Sequence, residues 1–264
     1  MKVKDMHRPE NYLAYWLGFA DGNDIGAVPP SPNIVPIAFG VTDTDSTIGT
    51  AFLTSKHSLE DIRAGARKLQ ERGQRVVLSI NGATETQKGW SSLDPENFAE
   101  NAYDLIVRQW EWDGIDLDNE DPGPPPPNFP HVIRALRRRF GRKALITLPV
   151  YMGKERDAYL KDVRDDIDGV STMAYWEDYE GQIALYEQYA SLVGGDKVAI
   201  GVSNPGSGSS STPTSAVARL AAYDPPGGKF GMMFWNINSP LNQPQAFEWC
   251  EIITSHLPRR HTPS

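Results

Sequence analysis

The sequence has 264 residues, enough for one large α/β or all-β domain or for two small domains. Its net charge of -8 and isoelectric point near 5.2 argue against a nucleic acid or an anionic membrane as partner, because either would need a clustered basic face. The single cysteine, Cys250, excludes an intrachain disulfide and a cysteine-based metal site.

Short apolar runs alternate with amphipathic segments along the whole chain. The apolar runs predict eight strands, over 12–19, 33–40, 75–82, 113–118, 144–150, 169–175, 197–203 and 230–237. A helix is expected after each strand, although the helix that follows the second strand begins only after a long loop over 41–57.

Several of the predicted helices have recognisable ends. Ser58 with Asp61 three residues later resembles a capping box at the start of the first long helix. Asp94 followed by Pro95 predicts a second helix start, with proline at the first helical position. Gly194 ends the helix that follows the sixth strand.

Eight strand and helix units in about 250 residues are typical of a (β/α)8 barrel. The alternative is a doubly wound open sheet, which usually has fewer strands and a glycine-rich phosphate turn that this sequence lacks. We therefore predict one catalytic TIM barrel domain over 1–264, with its core over about 11–257. Only about 27 residues separate the seventh and eighth strands, so no α+β insertion domain is expected there. Within that connection, 205–215 is predicted to be a flexible lip of the site rather than a linker.

The fourth predicted strand contains acids, which strands and protein interiors ordinarily avoid, in the stretch "DGIDLDNE" over 113–120. Asp116, Asp118 and Glu120 are spaced by two, so their side chains share one face, while Ile115 and Leu117 face the opposite way. In a barrel this spacing predicts a column of acids that ends with Glu120 at the C-terminal mouth, where barrel active sites lie. Like charges so close together cannot all ionise cheaply, so at least one should be protonated and able to act as a general acid.

Calcium binding and a purely structural role are the alternatives for this stretch. It lacks the glycine and glutamate of an EF-hand loop, and solvent-facing acids would not alternate with isoleucine and leucine at the period of a strand. Catalysis therefore explains the pattern best. The first acid, Asp113, is expected to fix the backbone near the start of the strand rather than to contact substrate.

The acidic stretch resembles the signature D-x-x-D-x-D-x-E of glycoside hydrolase family 18, the chitinases and endo-β-N-acetylglucosaminidases. "LSINGA" over 78–83 resembles the third-strand S-x-G-G of that family, with Asn81 where the first glycine is usual. "MAY" over 173–175 resembles the sixth-strand M-x-Y, and "GMMFWNIN" over 231–238 is similar to the eighth-strand segment with its tryptophan. "YLAYW" and "IAF" resemble the first two strands, so the likeness spans nearly the whole chain.

The resemblance implies a retaining, substrate-assisted reaction, an exception to the rule of two catalytic carboxylates. Glu120 would protonate the glycosidic oxygen and later act as base, while the 2-acetamido oxygen of the substrate attacks the anomeric carbon. Asp118 would orient the acetamide and stabilise its developing charge, Asp116 would share a proton with Asp118, and Tyr175 would donate to the acetamide oxygen. The spacing agrees, because a nucleophilic carboxylate would have to lie across the sugar from the acid, about 5 Å away.

Substrate contacts are expected from six further residues: Trp235, Tyr15, Phe39, Ser79, Trp176 and Asp178. Trp235 would form an apolar floor under the sugar, and Ser79 would hydrogen-bond the buried acids. For each aromatic residue the alternative is plain core packing. Asn119 and Trp176 depart from the family pattern, which often has an aromatic before the glutamate and Asp or Asn after M-x-Y. Asp178 is near enough in sequence to be a candidate for that second place.

The five histidines are scattered without the spacing of a zinc site, so we expect neither a metal nor a cofactor. No apolar run is as long as a membrane span, and "MKVKDMHRPE" lacks the hydrophobic stretch of a signal peptide. We therefore expect no membrane partner. Two locations stay open, the cytoplasm or secretion with a signal that has been removed from this sequence.

The expected partner is an oligosaccharide, a polysaccharide or a glycoprotein glycan that contains N-acetylglucosamine, and the protein is expected to be a monomer. The first hypothesis is an endo-acting chitinase, since a barrel without the insertion has a shallow, open groove. The second is an endo-β-N-acetylglucosaminidase that cuts the chitobiose core of N-glycans, because both enzymes cleave a β-1,4 bond next to N-acetylglucosamine. The third is a non-catalytic carbohydrate-binding lectin, against which the presence of Glu120 argues.

Overall fold

The computed structural model describes residues 8–22, 24–43, 45–82, 89–120, 125–151, 153–204, 211–238 and 245–260. Its barrel strands are β1 (Asn11–Ala14, continued by Trp16–Leu17), β2 (Ile34–Thr42), β3 (Arg75–Asn81), β4 (Gly114–Asp118), β5 (Leu145–Val150), β6 (Gly169–Thr172), β7 (Val198–Ser203) and β8 (Gly231–Trp235). The strands are parallel and pair in chain order, and β8 pairs with β1, so the sheet closes on itself. The predicted (β/α)8 barrel is confirmed.

The helices that surround the barrel are α1 (Leu59–Glu71), α2 (Pro95–Tyr103), α3 (Phe129–Phe140), α4 (Leu160–Val163), α5 (Tyr179–Val193), α6 (Thr214–Ala222) and α7 (Gln245–His256). A π-helical segment, Asp104–Gln109, continues α2. The side chain of Ser58 caps α1 by accepting from Asp61 N at 3.1 Å, and Asp94 caps α2 by accepting from Asn97 N at 2.8 Å. These predicted helix starts are confirmed, as is the end of α5 at Gly194.

The predicted eightfold alternation of strand and helix is wrong in its first unit. Between β1 and β2 the described residues form one turn of 3-10 helix, Ile25–Ala27, and no α-helix. The 18–33 connection contains three glycines and three prolines, the two residue types that most disfavour a helix. The predicted long loop over 41–57 also begins differently, because β2 continues to Thr42 and pairs with a short antiparallel strand, Ile48–Gly49.

Side chains alternate between the barrel interior and the layer under the helices. On β3, Val77 belongs to the interior apolar cluster, while Val76 and Leu78 belong to the cluster that packs against the helices. On β4, Ile115 and Leu117 pack under the helices, which leaves the acids of that strand on the interior face. This arrangement follows from the period of two, and it places charged groups where each needs a compensating contact.

The base of β4 is fixed by the first acid of the motif. Asp113 Oδ2 accepts hydrogen bonds from Val76 N at 2.8 Å and from Gln70 Nε2 at 2.9 Å, so the backbone role predicted for Asp113 is confirmed. Of the predicted lip over 205–215, residues 205–210 lie outside the described residues. Thr212, in the described part, is tied to β7 by two hydrogen bonds with Ser203. Across the described chain, none of the helices combines the length and apolar character needed to cross a membrane.

Candidate active site

The three spaced acids of the motif rise through the barrel along β4. Asp116 is 0% exposed and Asp118 2% exposed, whereas Glu120 lies just beyond the end of the strand and is half-buried. Asp116 is level with Ser79 on β3 and with Thr147 on β5 in the parallel register. The two lower acids are therefore enclosed by neighbouring strands, and the third lies at the mouth.

Hydroxyl groups from three strands converge on Asp116. Its Oδ2 accepts from Tyr15 OH at 2.8 Å and from Ser79 Oγ at 2.7 Å, and its Oδ1 accepts from Thr147 Oγ1 at 2.6 Å. The sequence indicated Tyr15 and Ser79 as site residues but missed Thr147, which lies in the apolar run "ALITLPV". A single hydroxyl in that run, at an interior position of the alternation, was the signal that could have found it.

Burial raises the pKa of Asp116 to about 6, and the hydrogen bonds from Thr147, Ser79 and Tyr15 act in the opposite direction. Burial raises the pKa of Asp118 well above that of an ordinary aspartate, and the nearby charges of Glu120 and Asp116 raise it further. Two negative charges so close together in a buried site are costly, so the pair favours a state in which it holds one proton.

The two lower acids are not hydrogen-bonded to each other. Among the described residues, Asp116 accepts hydrogen bonds from the three hydroxyls, and Asp118 Oδ1 is buried without a donor. The proton sharing predicted for this pair thus has no direct hydrogen bond in this state. A buried carboxyl oxygen without a partner is costly, so Asp118 Oδ1 needs a donor that a ligand or a change of rotamer can supply.

Aromatic rings line the interior beside the acids. Trp235, at the end of β8, is half-buried, and its ring centroid lies 5.4 Å from that of Tyr15 and 5.9 Å from that of Phe39. Tyr175 is buried, and its hydroxyl donates to Met233 Sδ at 3.7 Å. Burial first, and then the charges of the acids, raise the pKa of Tyr175 well above that of a free tyrosine, so its hydroxyl keeps its proton as a donor.

The structure gives different surroundings to Trp176 and Asp178, which were both expected to contact substrate. Trp176 is 56% exposed and lies edge-on to Tyr151, with 6.4 Å between the ring centroids, and Tyr151 OH donates to Glu120 O at 3.3 Å. Trp176 is thus next to the residue that contacts the end of the acid column. Asp178 is exposed and caps α5, where its Oδ1 accepts from Gly181 N at 2.8 Å. A substrate contact by Asp178 would compete with this capping bond and stays a prediction.

Sequence reasoning also missed a polar network in the loop after β5. Arg156 Nη2 donates to Asn119 O at 3.4 Å, and Arg156 Nη1 lies 2.9 Å from Asp157 Oδ1. Asp157 is fully buried and accepts at its other oxygen from Tyr189 OH of α5 at 2.5 Å. This network joins α5 to the backbone beside Glu120. An Arg-Asp dipeptide in a loop gives no sequence signal for such a role.

A closed (β/α)8 barrel with a column of interior acids that ends at its mouth, beside a group of aromatic rings, fits a glycoside hydrolase. Among the described residues, no group of three or more His, Cys, Asp or Glu side chains could hold a metal ion. The family model for glycosyl hydrolases family 18 matches residues 12–238, and the chain belongs to that family. The resemblance of the motifs is confirmed, and the protein is a glycoside hydrolase.

Solved structures agree in fold. A Streptomyces coelicolor protein provisionally assigned as chitinase A is 21% identical, with a TM-score of 0.77, and the match covers 94% of this chain and 98% of that one. A GH18 chitinase from Pseudoalteromonas aurantia is 17% identical, with a TM-score of 0.76 and coverage of 94% and 100%. A family GH18 chitinase from Chromobacterium violaceum is 18% identical, with a TM-score of 0.77 and coverage of 95% and 84%. At these identities the likeness concerns the fold.

Proposed function

We propose that the protein is an endo-acting chitinase that hydrolyses β-1,4 bonds next to N-acetylglucosamine by a retaining, substrate-assisted mechanism. The observation that supports this most directly is the column of Asp116, Asp118 and Glu120 on one strand. A retaining enzyme with its own nucleophile needs two carboxyl groups about 5 Å apart on opposite sides of the sugar. Acids stacked on one side fit a reaction in which the substrate supplies the nucleophile.

In the proposed first step, Glu120 gives its proton to the glycosidic oxygen while the 2-acetamido oxygen attacks C1. The bond from C1 to the glycosidic oxygen breaks, the reducing-end part leaves with that proton, and an oxazolinium ion forms. In the second step, ionised Glu120 takes a proton from water, and the water oxygen attacks C1 and opens the five-membered ring. The acetamide is restored, Glu120 is protonated again, and two displacements at C1 give net retention.

Asp118 is the proposed partner of the acetamide N–H. Its unpaired Oδ1 offers an acceptor for that group, and an anionic Asp118 would stabilise the positive charge of the oxazolinium ion. Asp118 reaches the anionic state when its proton moves to Asp116, whose carboxylate is already stabilised by three hydroxyl donors. The pair keeps one proton throughout, so no other group has to take it up.

Two aromatic residues are proposed to position the reacting sugar. The Tyr175 hydroxyl now contacts a thioether, which is a weak acceptor, so little is lost when that hydroxyl turns to the acetamide oxygen. Trp235, supported from below by Tyr15 and Phe39, would stack on the apolar face of the sugar. At the rim, the exposed ring of Trp176 would contact the sugar on the leaving-group side.

A chitin substrate is favoured over an N-glycan because the three similar structures above are of proteins assigned as chitinases. The test is to offer chitohexaose and a high-mannose glycoprotein side by side and to identify the released sugars by mass spectrometry. We expect chitobiose and chitotriose from the first substrate and an intact second substrate. Release of the N-glycan with one N-acetylglucosamine left on the protein would overturn the chitinase proposal. If neither chitohexaose nor the glycoprotein is cleaved, the proposals of a chitinase and of an endo-β-N-acetylglucosaminidase are both wrong.

Glu120→Gln tests the proposed acid. Loss of a general acid lowers the rate by about 10²- to 10⁴-fold, so we expect kcat on chitohexaose to fall within that range while the oligosaccharide still binds. Glu111→Gln is the matched control, because Glu111 is an exposed glutamate at the opposite end of the same strand. An unchanged kcat for Glu120→Gln, or an equal loss in both variants, would refute the assignment.

A further inference from the structure

Asn81 ends β3 directly beside Asp118. The two residues are partners in the parallel register, and both lie on the interior side of their strands. Asn81 is 0% exposed and Asp118 is 2% exposed. Because paired strands are about 4.8 Å apart, the side chains of such partners are within reach of each other.

The Asn81 side chain is anchored through its oxygen alone. Oδ1 accepts from Thr42 N at 2.9 Å and from Thr42 Oγ1 at 3.2 Å, at the end of β2. In the Asn81 side chain only the oxygen can accept a hydrogen bond from a backbone N–H. The orientation of the side-chain amide is therefore fixed, and its NH2 group points away from Thr42. Asn81 Nδ2 is buried and has no hydrogen-bond partner among the described residues, and Asp118 Oδ1 is in the same condition.

The backbone of Asn81 adds a second cost. Its φ of 74° lies in the left-handed region, which a glycine adopts without cost and an asparagine at a smaller cost than most other residues. A strained residue that also buries an unpaired donor lowers stability twice, and such features cluster at functional sites. Glycine would avoid both costs but would leave Thr42 N without an acceptor, so the contact with Thr42 explains the amide oxygen and leaves the buried NH2 group unexplained.

We propose that Asn81 is a positioning residue for Asp118, and that Asn81 Nδ2 donates a hydrogen bond to the Asp118 carboxylate when this group is ionised during the reaction. The inference rests on the proposed function. In the resting protein the protonated Asp118 lies without this bond. When the proton moves to Asp116, a small rotation about the Asp118 side chain brings Oδ1 to the waiting amide. The bond would hold the anion facing the oxazolinium ion, and no covalent change involves Asn81.

Two substitutions isolate the donor. Asn81→Asp removes Nδ2 and keeps an oxygen for Thr42, whereas Asn81→Gly removes the whole side chain and also the strain. We expect kcat on chitohexaose to fall about 10- to 100-fold in both, the range for loss of a hydrogen bond to an anion, with KM within about twofold of the native value. The acidic limb of the pH profile should move to higher pH, most of all in Asn81→Asp, because that variant adds a carboxyl group. A loss confined to KM would instead indicate a direct substrate contact and overturn the proposal.

Glu111→Gly is the matched control for the backbone effect. Glu111 is exposed, also has a positive φ, of 60°, and lies at the opposite end of the barrel, so glycine there should raise thermal stability without changing kcat. Asn81→Gly relieves the positive φ but leaves the buried N–H of Thr42 without its acceptor, so circular dichroism and urea unfolding must show a folded protein before its kcat is compared. Asn81→Asp keeps an oxygen for Thr42 and is the variant in which a lower kcat cannot be assigned to that lost bond.

A measurement without substrate separates this inference from the proposed function. The Asp118 carboxyl is titrated by carbon-13 NMR in the native protein and in Asn81→Gly, with Asp118→Asn to assign its signal. We expect the pKa of Asp118 to be higher in Asn81→Gly, since the ionised form loses its donor. An equal pKa in the two proteins refutes the role of Asn81 whatever the substrate is. A higher pKa in a protein that cleaves no N-acetylglucosamine polymer would support that role and refute the chitinase proposal.

Discussion

The three hydroxyl groups around Asp116 lower its pKa against the larger effect of burial, and Tyr15→Phe removes one of them without changing the shape of the ring. Tyr15 OH donates to Asp116 Oδ2 at 2.8 Å inside a fully buried site. A hydrogen bond to a charged group contributes about 1.5 to 3 kcal/mol. Since one pKa unit corresponds to about 1.4 kcal/mol, the pKa of Asp116 should rise from about 6 to between roughly 7 and 8.

The sign of the effect on activity follows from the proposed need for an ionised Asp116. In the native protein kcat should fall as the pH drops through about 6, because Asp116 is then protonated and cannot take the proton of Asp118. In Tyr15→Phe the same loss should occur roughly one to two pH units higher. At pH 7 the variant should therefore be much slower, and at pH 9 it should recover most of the difference.

Stability should change in the same pH range. The pKa of Asp116 lies above its ordinary value of 3.8, so between 3.8 and about 6 the folded protein binds more protons than the unfolded chain. The free energy of unfolding therefore falls as the pH rises through this range, by about 3 kcal/mol from this group. In Tyr15→Phe the free energy of unfolding should continue to decrease up to a higher pH, and the total decrease should be larger by about 1.5 to 3 kcal/mol.

The assays are the pH dependence of kcat on chitohexaose and urea unfolding at pH 5 and pH 8. Tyr12→Phe is the control, because Tyr12 is an equally buried tyrosine of β1 whose hydroxyl contacts Cys250 Sγ at 3.1 Å instead of an acid. An acidic limb at the same pH in native protein and Tyr15→Phe, or an equal displacement in Tyr12→Phe, would refute the reasoning.

Two further substitutions test contacts outside the column. Arg156→Lys keeps a cation for Asp157, but a lysine cannot also reach Asn119 O. We expect kcat to fall about tenfold at constant KM in steady-state assays. An unchanged kcat would exclude a role for the loop that contains Arg156. Lys229→Met leaves the buried Glu10 without the ammonium 2.7 Å away, so urea unfolding should show a loss of about 3 to 5 kcal/mol. The Glu10–Lys229 pair lies at the N-terminal ends of the strands, away from the acids at their C-terminal ends, so the kcat of the folded protein should not change. A lower kcat would show that the pair affects the active site.

The acid column could be predicted because its information is local. A period of two along one strand fixes which of Ile115, Asp116, Leu117 and Asp118 share a face, and no knowledge of neighbouring strands is needed. The helix starts at Ser58 and Asp94 are local in the same sense, because a cap and its partner lie three residues apart.

The contact of Ser79 with the buried acids was predicted with the help of the family resemblance, but other contacts across strands were not, because they depend on the register between segments far apart in sequence. Thr147 reaches Asp116 across 31 residues, and Thr42 reaches Asn81 across 39. No pattern within either strand indicates which residues will be level with each other. The missing helix between β1 and β2 is a different kind of error. The glycines and prolines of 18–33 disfavour a helix locally, and the regular alternation of strand and helix in a barrel does not extend to this connection.

The central claim is that Glu120 acts together with a nucleophile that the substrate provides, so that the reaction retains the anomeric configuration, and the configuration of the first-formed product tests this retention most directly. Native protein is mixed with chitohexaose, and the anomeric protons of the new reducing ends are followed by NMR before mutarotation can equilibrate them. Attack by the acetamide oxygen and then by water predicts that the β-anomer appears first. If the α-anomer appears first, the reaction inverts in a single displacement, and both the acetamide mechanism and the role assigned to Asp118 are wrong.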